Sequence, residues 1–193
     1  MKIQLVSYLY GLTNGERLKS TVEIMNESMC DLILFSGHTL GSVKDVERLR
    51  NRLSNKKVEA IIELKDINSS KLNNCLYHVK NDKVLNLFTN QLFARSSELK
   101  NNKELAARLL NELELKRKLK IKWNNLLILQ CGELAILKNI QADGNRVEFQ
   151  LSQDSKLNSG FKKVIKDVDI FLNPMHTPMG NQGKMSRRRE FLS

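Results

Sequence analysis

Hydrophobic and polar positions follow two different periods along the first third of the chain. Three short apolar or alternating runs are typical of strands, at residues 2–7 (KIQLVS), 30–36 (CDLILFS) and 58–64 (VEAIIEL). Apolar residues recur at helical spacing between them, which predicts helices over about 14–28 and 42–55. A capping box of Ser42 with Asp45 opens the second helix, after a predicted loop at residues 36–42 (SGHTLGS). The alternation of strands with helices predicts a parallel α/β sheet.

The pattern changes in the middle of the chain. Residues 75–80 and 83–88 flank Asn81-Asp82, which predicts a hairpin, and a second hairpin is predicted around Asp143-Gly144. In LKIKW, Leu119, Ile121 and Trp123 alternate with lysines, which indicates a half-exposed strand that turns at Asn124-Asn125 into the next strand. The remaining predicted elements are helices over about 101–114, 158–166 and 184–193, and buried strands over 126–130 and 167–174.

The amino-acid composition limits the size and the class of protein that this pattern can represent. The chain has 193 residues, 41% of them hydrophobic and 27% charged, which fits one domain spanning residues 1–193. Three cysteines are too few for a disulfide framework and fit no zinc motif, so reduced thiols in a cytoplasmic protein are the simplest expectation. No run approaches the roughly 18 apolar residues of a membrane span, and the N-terminus lacks the apolar region of a signal peptide. We expect no metal and no cofactor.

The net charge of +11 indicates acidic partners, with nucleic acid as the first candidate. Basic residues cluster in KRKLKIK (116–122) and at Arg187–Arg189. No aromatic residues interleave with these charges, so a solvated basic face is the simpler interpretation. The side chains of Arg187–Arg189 either pair with carboxylates inside the fold or are exposed to solvent.

Residues 126–137, LLILQCGELAIL, place a cysteine at the end of a buried strand, followed by glycine and glutamate. Cysteine packs well in a core, and on the residues alone this interpretation is favoured. The alternative is a nucleophile, because the ends of parallel strands are where α/β proteins carry their reactive groups. Glu133 is then a local hydrogen-bond acceptor beside the strand end. Cys30 and Cys75 are expected to pack, and His38 and His176 are expected in surface loops.

The order of several segments resembles the nitrilase, or carbon–nitrogen hydrolase, superfamily. MKIQLV, a helix and CDLILF resemble the start of that family, and LLILQCGE resembles its cysteine strand. CLYHVKNDKVLNLFTNQLF resembles the family's central hairpin, and DVDIFLNP with SRRREFLS resembles the strand and helix that follow the nucleophile. The resemblance implies a four-layer α-β-β-α sandwich, here shortened at its C-terminal end.

The family's chemistry uses a cysteine nucleophile, a glutamate as general base and a lysine that stabilises the oxyanion. By resemblance the nucleophile falls on Cys131 and a supporting glutamate on Glu98. The general base falls on Gly37 and the oxyanion lysine on Asn90, so neither group is present. Losing one oxyanion donor alone lowers catalytic rates by about 100- to 1000-fold.

These substitutions favour a nitrilase-like protein that has lost hydrolase activity and binds a small amide or nitrile ligand, or a protein partner. The resemblance also implies a homo-oligomer in which the sheets of two protomers extend each other. An active amidase or nitrilase with Cys131 as nucleophile, and with His38 or Glu98 as base, is the first alternative. A basic nucleic-acid-binding protein acting through KRKLKIK is the second.

Overall fold

The computed structural model describes residues 1–8, 11–64, 75–81, 83–100, 102–144, 146–175 and 182–192. The chain is mixed α/β and divides into two compact units, Met1–Asn90 and Gln91–Ser193. The prediction that residues 1–193 form one domain stays a prediction. No helix among these residues is long and apolar enough to cross a bilayer.

In the part of the first unit that the structure describes, there are one five-stranded sheet and two helices. Its elements in chain order are β1 (Ile3–Ser7), α1 (Asn14–Glu27), β2 (Leu32–Leu40), α2 (Val43–Arg52), β3 (Glu59–Leu64), β4 (Leu76–Lys80) and β5 (Lys83–Asn86). The strands lie in sequence order, with β1, β2 and β3 parallel and with β4 and β5 added antiparallel. The predicted parallel sheet and the first predicted hairpin are therefore confirmed, although Asp82 in the turn lies outside the described residues.

Both faces of β2 are buried. Ile33 and Phe35 join a core that also contains Met25 of α1 and Leu49 of α2. Leu32, on the opposite face, is fully inaccessible as well. A strand apolar on both faces is typical of a parallel sheet covered on each side, and it reads as a continuous apolar run in the sequence.

The predicted loop at residues 36–42 is wrong, because β2 continues to Leu40. His38 lies inside this strand and pairs in register with Glu63 of β3, and the register shifts between Leu34 and His38. The shift is a β-bulge, which accommodates polar and glycine residues that a regular pattern does not predict. The predicted capping box of α2 is also incomplete: Ser42 is the N-cap residue, but its hydroxyl donates to the Asp45 carboxylate at 3.0 Å and caps no backbone N–H.

Within its described residues, the second unit contains two smaller sheets, four α-helices and two 3₁₀ helices. Its elements in chain order are α3 (Ser96–Leu99), α4 (Lys103–Lys116), β6 (Lys118–Ile121), β7 (Asn124–Ile128), a 3₁₀ helix (Cys131–Ile136), β8 (Leu137–Ile140), a second 3₁₀ helix (Gln141–Asp143), β9 (Arg146–Phe149), α5 (Ser155–Ile165), β10 (Ile170–Leu172) and α6 (Gln182–Leu192). One sheet has the order β10-β7-β6, with β10 parallel and β6 antiparallel to β7, and the other is the predicted hairpin of β8 and β9.

The turn between β6 and β7 is shifted from its predicted place. Ile121 pairs with Asn124, so Lys122 and Trp123 form the turn and Asn124-Asn125 begin β7. Trp123 therefore does not continue the inward-facing pattern of Leu119 and Ile121, and its side chain is 90% exposed. The sheet register outweighs the turn preference of the two asparagines, and it places Leu119 opposite the fully buried Leu126.

The core of the second unit lies among α4, α5, β7 and the 3₁₀ helix at 131–136. Leu109, Leu113, Leu127, Leu134 and Phe161 belong to this core. The rings of Phe149 and Phe161 stack with their centroids 4.8 Å apart. The end of β7 lies in this core, and Cys131 comes shortly after the strand ends.

Candidate functional site around Cys131

Cys131 is the first residue of a 3₁₀ helix that begins three positions after β7 ends. Its side chain is buried, with 7% of the residue exposed. Strand β10 runs parallel to β7, and Leu129 N donates to Leu172 O at 2.9 Å just before the turn. Asn173 Nδ2 donates to Leu129 O at 2.6 Å. Cys131 therefore lies at the carboxyl end of a parallel strand pair, where α/β folds commonly place functional groups.

Gly132 is required by a close approach of two backbone segments. A Cβ atom at this position would lie 2.4 Å from Ala94 Cα and 2.7 Å from Ala94 O. The Gly132 N–H also donates to Gln91 Oε1 at 3.3 Å. Only glycine fits such a contact, so residues 91–94 pass directly over the turn that carries Cys131.

Glu133 fixes the same turn through its carboxylate. Oε2 accepts from Gln130 N at 2.9 Å, and Oε1 accepts from Leu92 N at 2.9 Å. Arg117, which follows α4, donates from Nη1 to Oε2. One buried carboxylate thus joins the end of α4, residues 91–94 and the Cys131 turn. The expectation that Glu133 is a local hydrogen-bond acceptor is confirmed.

Arg117 and Glu133 form an ion pair that is fully removed from solvent, each being 0% exposed. Burial raises the pKa of the Glu133 carboxyl, while Arg117 and the N–H groups of Leu92 and Gln130 act in the opposite direction. Three N–H donors, one of them cationic, point at the two oxygens, so we take the group as ionised near neutral pH. A carboxylate with both oxygens engaged is poorly suited to accept a proton from a thiol.

Glu98 lies at the start of α3 and is exposed. Its Oε1 accepts from Ala94 N at 2.9 Å and from Arg95 N at 2.7 Å. Such bonds from a third-position glutamate to the preceding backbone stabilise the beginning of a helix. In the structure, Glu98 therefore orders the segment that passes over Gly132.

Gly37 and Asn90 belong to the first unit. Gly37 has a φ of 74°, a left-handed conformation at the bulge in β2. Side chains other than glycine, asparagine and aspartate rarely adopt it, so a glutamate at this position would be strained. Asn90 is half-buried and lies outside any strand, at the last position of the unit.

Three titratable side chains whose burial the sequence analysis missed are Glu63, His78 and Arg117. Glu63, 1% exposed, is the cross-strand neighbour of His38 near the carboxyl ends of β3 and β2. His78 Nε2 lies 2.7 Å from Glu59 Oε2, and burial lowers the pKa of His78 against the opposing effect of Glu59. A carboxylate inside the apolar run AIIEL was the available signal for Glu63. No pattern in the sequence indicated that Arg117, which lies in a run of lysines, would be buried.

The other predicted residues have ordinary surroundings. Cys75 is buried and Cys30 half-buried, and both are free thiols. Arg187 donates to Gly144 O at 3.1 Å and Arg188 donates to Asn139 Oδ1 at 2.9 Å. His176 lies outside the described residues. Among the residues that are described, no group of three histidine, cysteine or acidic side chains is placed to hold a metal ion.

Comparisons of the chain with protein-family models, with curated proteins and with solved structures found no match.

Proposed function

We propose that the chain is a nitrilase-like protein that no longer hydrolyses carbon–nitrogen bonds and that binds a small amide or nitrile, or a protein partner, through the retained scaffold. The proposal starts from the resemblance of its segments, in order, to the carbon–nitrogen hydrolases. Cys131 at the carboxyl end of β7 is the position that the resemblance implies for the nucleophile. The four-layer α-β-β-α sandwich is part of the same proposal.

The conformation of Gly37 is the observation that carries the loss of activity. The resemblance equates this residue with the general base, and its φ of 74° belongs to a bulge that disfavours glutamate. A left-handed φ favours glycine over the glutamate that the resemblance places here, so this position supplies no general base. Thiols become strong nucleophiles when a base or a positive charge favours the thiolate, which is the role that the resemblance gives to the general base.

Two glutamates bind the Cys131 turn or the segment that passes over it, and both support the same conclusion. Glu133 is bound by Arg117 and two backbone N–H groups, and Glu98 caps α3. Each carboxylate has a structural role that a proton transfer would disrupt. An active hydrolase with Glu98 as base is therefore the weaker alternative.

The remaining parts of the proposal follow from the resemblance and from the cysteines. We infer a cytoplasmic location, because three free thiols suit a reducing compartment. A homo-oligomer that extends the sheets of two protomers would also cover an exposed strand edge. Size-exclusion chromatography with light scattering tests this assembly directly, and a monomer at high concentration contradicts it.

The central experiment measures turnover and thiol reactivity together. The purified chain is incubated with a panel of short amides and nitriles while released ammonia is measured, with Cys131→Ala as the control. We expect no ammonia above the level of the control. We also expect iodoacetamide to label Cys131 no faster than Cys30, the half-buried thiol, in a mass-spectrometric time course.

The same panel tests ligand binding. A bound amide or nitrile should slow the labelling of Cys131 and leave the labelling of Cys30 unchanged. Turnover that disappears in Cys131→Ala would overturn the loss of activity. A panel in which no compound protects Cys131 would overturn the small-ligand part of the proposal.

A further inference from the structure

The tip of the β6–β7 hairpin exposes the chain's single tryptophan. Trp123 is 90% exposed, although its neighbour Ile121 is almost fully buried. Lys122, the other turn residue, has a left-handed φ of 53°. We call Lys120, Lys122 and Trp123 the hairpin tip.

Neither turn residue is favourable for the fold. A tryptophan side chain that could bury 150–250 Å² of surface is left in water. A lysine in the left-handed region is unfavourable, and two-residue hairpin turns prefer asparagine or glycine there. Tryptophan is one of the residues most enriched at the energetic centres of binding interfaces.

The surroundings of the tip are basic. Lys120 and Lys122 are exposed, and Lys118, which is less exposed, forms an ion pair with Glu114 at 2.7 Å. A cleft of about 240 Å³ on the same hairpin is lined by Lys118, Leu119, Lys120, Asn125 and Asp167. Asp167 lines this cleft, and Asp169 Oδ2 accepts from Asn125 N at 2.7 Å beside it, so the positive charge at the tip comes from Lys120 and Lys122. The whole chain carries a net charge of +11.

Edge protection explains only part of this arrangement. Strand β6 is the last strand of its sheet among the described residues, and lysines on such a strand discourage pairing with another chain. That role accounts for Lys118 and Lys120. It does not account for an exposed tryptophan, which would promote association, or for a strained lysine at the turn.

We propose that the hairpin tip binds single-stranded nucleic acid. Trp123 stacks on an unpaired base, Lys120 and Lys122 contact the phosphates on either side, and the cleft beside Asn125 receives the adjoining backbone. An aromatic face flanked by cations is the recurrent composition of such sites, and stacking is open only to bases outside a duplex. This activity is independent of the carbon–nitrogen hydrolase resemblance.

A lipid surface fits the tip less well. Membrane-surface binding through one small apolar group is marginal, and stable anchoring needs a larger apolar face or a second signal. The tip offers one ring, followed directly by the polar Asn124 and Asn125. Amide side chains suit hydrogen bonds to base edges and phosphates rather than insertion among acyl chains.

Binding is measured with the full chain and fluorescein-labelled oligo(dT) of about 20 nucleotides, and with the matching RNA, at several salt concentrations. Because Trp123 is the only tryptophan, its fluorescence reports on the tip directly and should be quenched on stacking. Trp123→Ala should weaken binding by about 5- to 100-fold, since base–aromatic stacking contributes about 1–3 kcal/mol. Trp123→Phe, which keeps a ring, should retain most of the affinity.

The lysines are tested by salt dependence. Lys120→Gln with Lys122→Gln should weaken binding and make the slope of log K against log salt shallower by about 0.7 for each lysine that contacts a phosphate. Lys162→Gln with Lys163→Gln removes the same charge from the exposed side of α5 and should have a much smaller effect. Far-UV circular dichroism checks that each variant is folded.

Three results would overturn the proposal. The first is absence of binding at low salt, and the second is binding without quenching of Trp123. The third is an equal loss in the two lysine pairs, which would indicate diffuse electrostatic attraction. Phosphatidylserine vesicles are tested in parallel, and a blue shift of Trp123 with vesicles but no response to the oligonucleotides would replace nucleic acid with a membrane surface.

Discussion

Replacing Glu133 with glutamine tests how the Cys131 turn is held in place. The carboxylate accepts from Arg117, Leu92 N and Gln130 N, and both charged residues are 0% exposed. Glutamine has almost the same shape, but it carries no charge and only one acceptor oxygen. Arg117 cannot lose its proton, so the variant leaves a buried cation without a counter-charge.

The expected decrease in the free energy of unfolding follows from two losses, the counter-charge of Arg117 and an acceptor for one backbone N–H group. Removing one partner of a buried ion pair costs about 3–5 kcal/mol in the free energy of unfolding. Removing the cation as well, in Arg117→Met with Glu133→Gln, eliminates that penalty. The double variant then lacks an acceptor for one of the two buried N–H groups, Leu92 or Gln130, which costs about 1–3 kcal/mol. We therefore expect the double variant to be about 2 kcal/mol more stable than Glu133→Gln.

The free energies are measured by urea unfolding followed by far-UV circular dichroism. For a chain of this size each kcal/mol corresponds to about 2–4 °C in melting temperature, so Glu133→Gln should lower it by about 6–20 °C. Hydrogen exchange adds a local measurement, because the amide hydrogens of Leu92 and Gln130 should lose protection in the single variant. If this variant does not fold, the folded double variant still shows the rescue.

A surface pair provides the control. Glu114 binds Lys118 at 2.7 Å with both side chains about one-third exposed, so Glu114→Gln should cost no more than about 0.5 kcal/mol. A loss below about 1 kcal/mol in Glu133→Gln would mean that the carboxyl group is already protonated in the fold. Additive losses in the double variant would show that Arg117 and Glu133 are not coupled. Either result refutes the reasoning.

Two further predictions concern stability. Gly132→Ala should lower the free energy of unfolding by about 1–3 kcal/mol, because its Cβ would lie 2.4 Å from Ala94 Cα. In the same urea unfolding experiment the control Gly15→Ala, in an open helical position, should be neutral or stabilising. Equal effects of the two substitutions would contradict the close approach at Gly132. Burial lowers the pKa of His78 below its ordinary 6.5, so the unfolded chain binds more protons and stability should fall as pH drops below about 6.5. Hydrogen exchange of β3 and β4, compared at neutral and mildly acidic pH, should show this as a loss of protection. The variant His78→Gln removes the titrating ring beside Glu59, so its protection should fall less with pH. The same pH dependence in the variant would show that His78 is not the group responsible.

The order of elements was predictable because apolar runs and helical spacing report directly on burial. Strands β1, β3 and β7 were each identified from such runs, and the hairpins around residues 81–82 and 143–144 from their turn residues. The failures occurred where tertiary pairing outweighed local preference. The end of β2 contains Ser36, Gly37 and His38, which indicate a loop by themselves, but Ser36 pairs with Ser7 of β1 and His38 with Glu63 of β3. At the β6–β7 turn the sheet register moved the bend to Lys122 and Trp123.

The candidate site was predictable only in part for the same reason. The run LLILQ located Cys131 at a strand end. The partner of Glu133 was not foreseeable, because Arg117 is 16 residues away and lies among lysines that are exposed or half-exposed. Nothing local distinguishes a buried arginine from a surface lysine. Only the assembled core shows which cation is enclosed.

The structure changes what the motif Cys-Gly-Glu can indicate about chemistry. Gly132 is explained by its contact with Ala94, and Glu133 by its bonds to Arg117 and the backbone. Both residues would be needed for this turn whether or not the chain ever hydrolysed a substrate. The resemblance at this motif therefore depends on Cys131 alone. The reactivity of that one thiol, measured against Cys30, decides between a retained nucleophile and a cysteine that only packs.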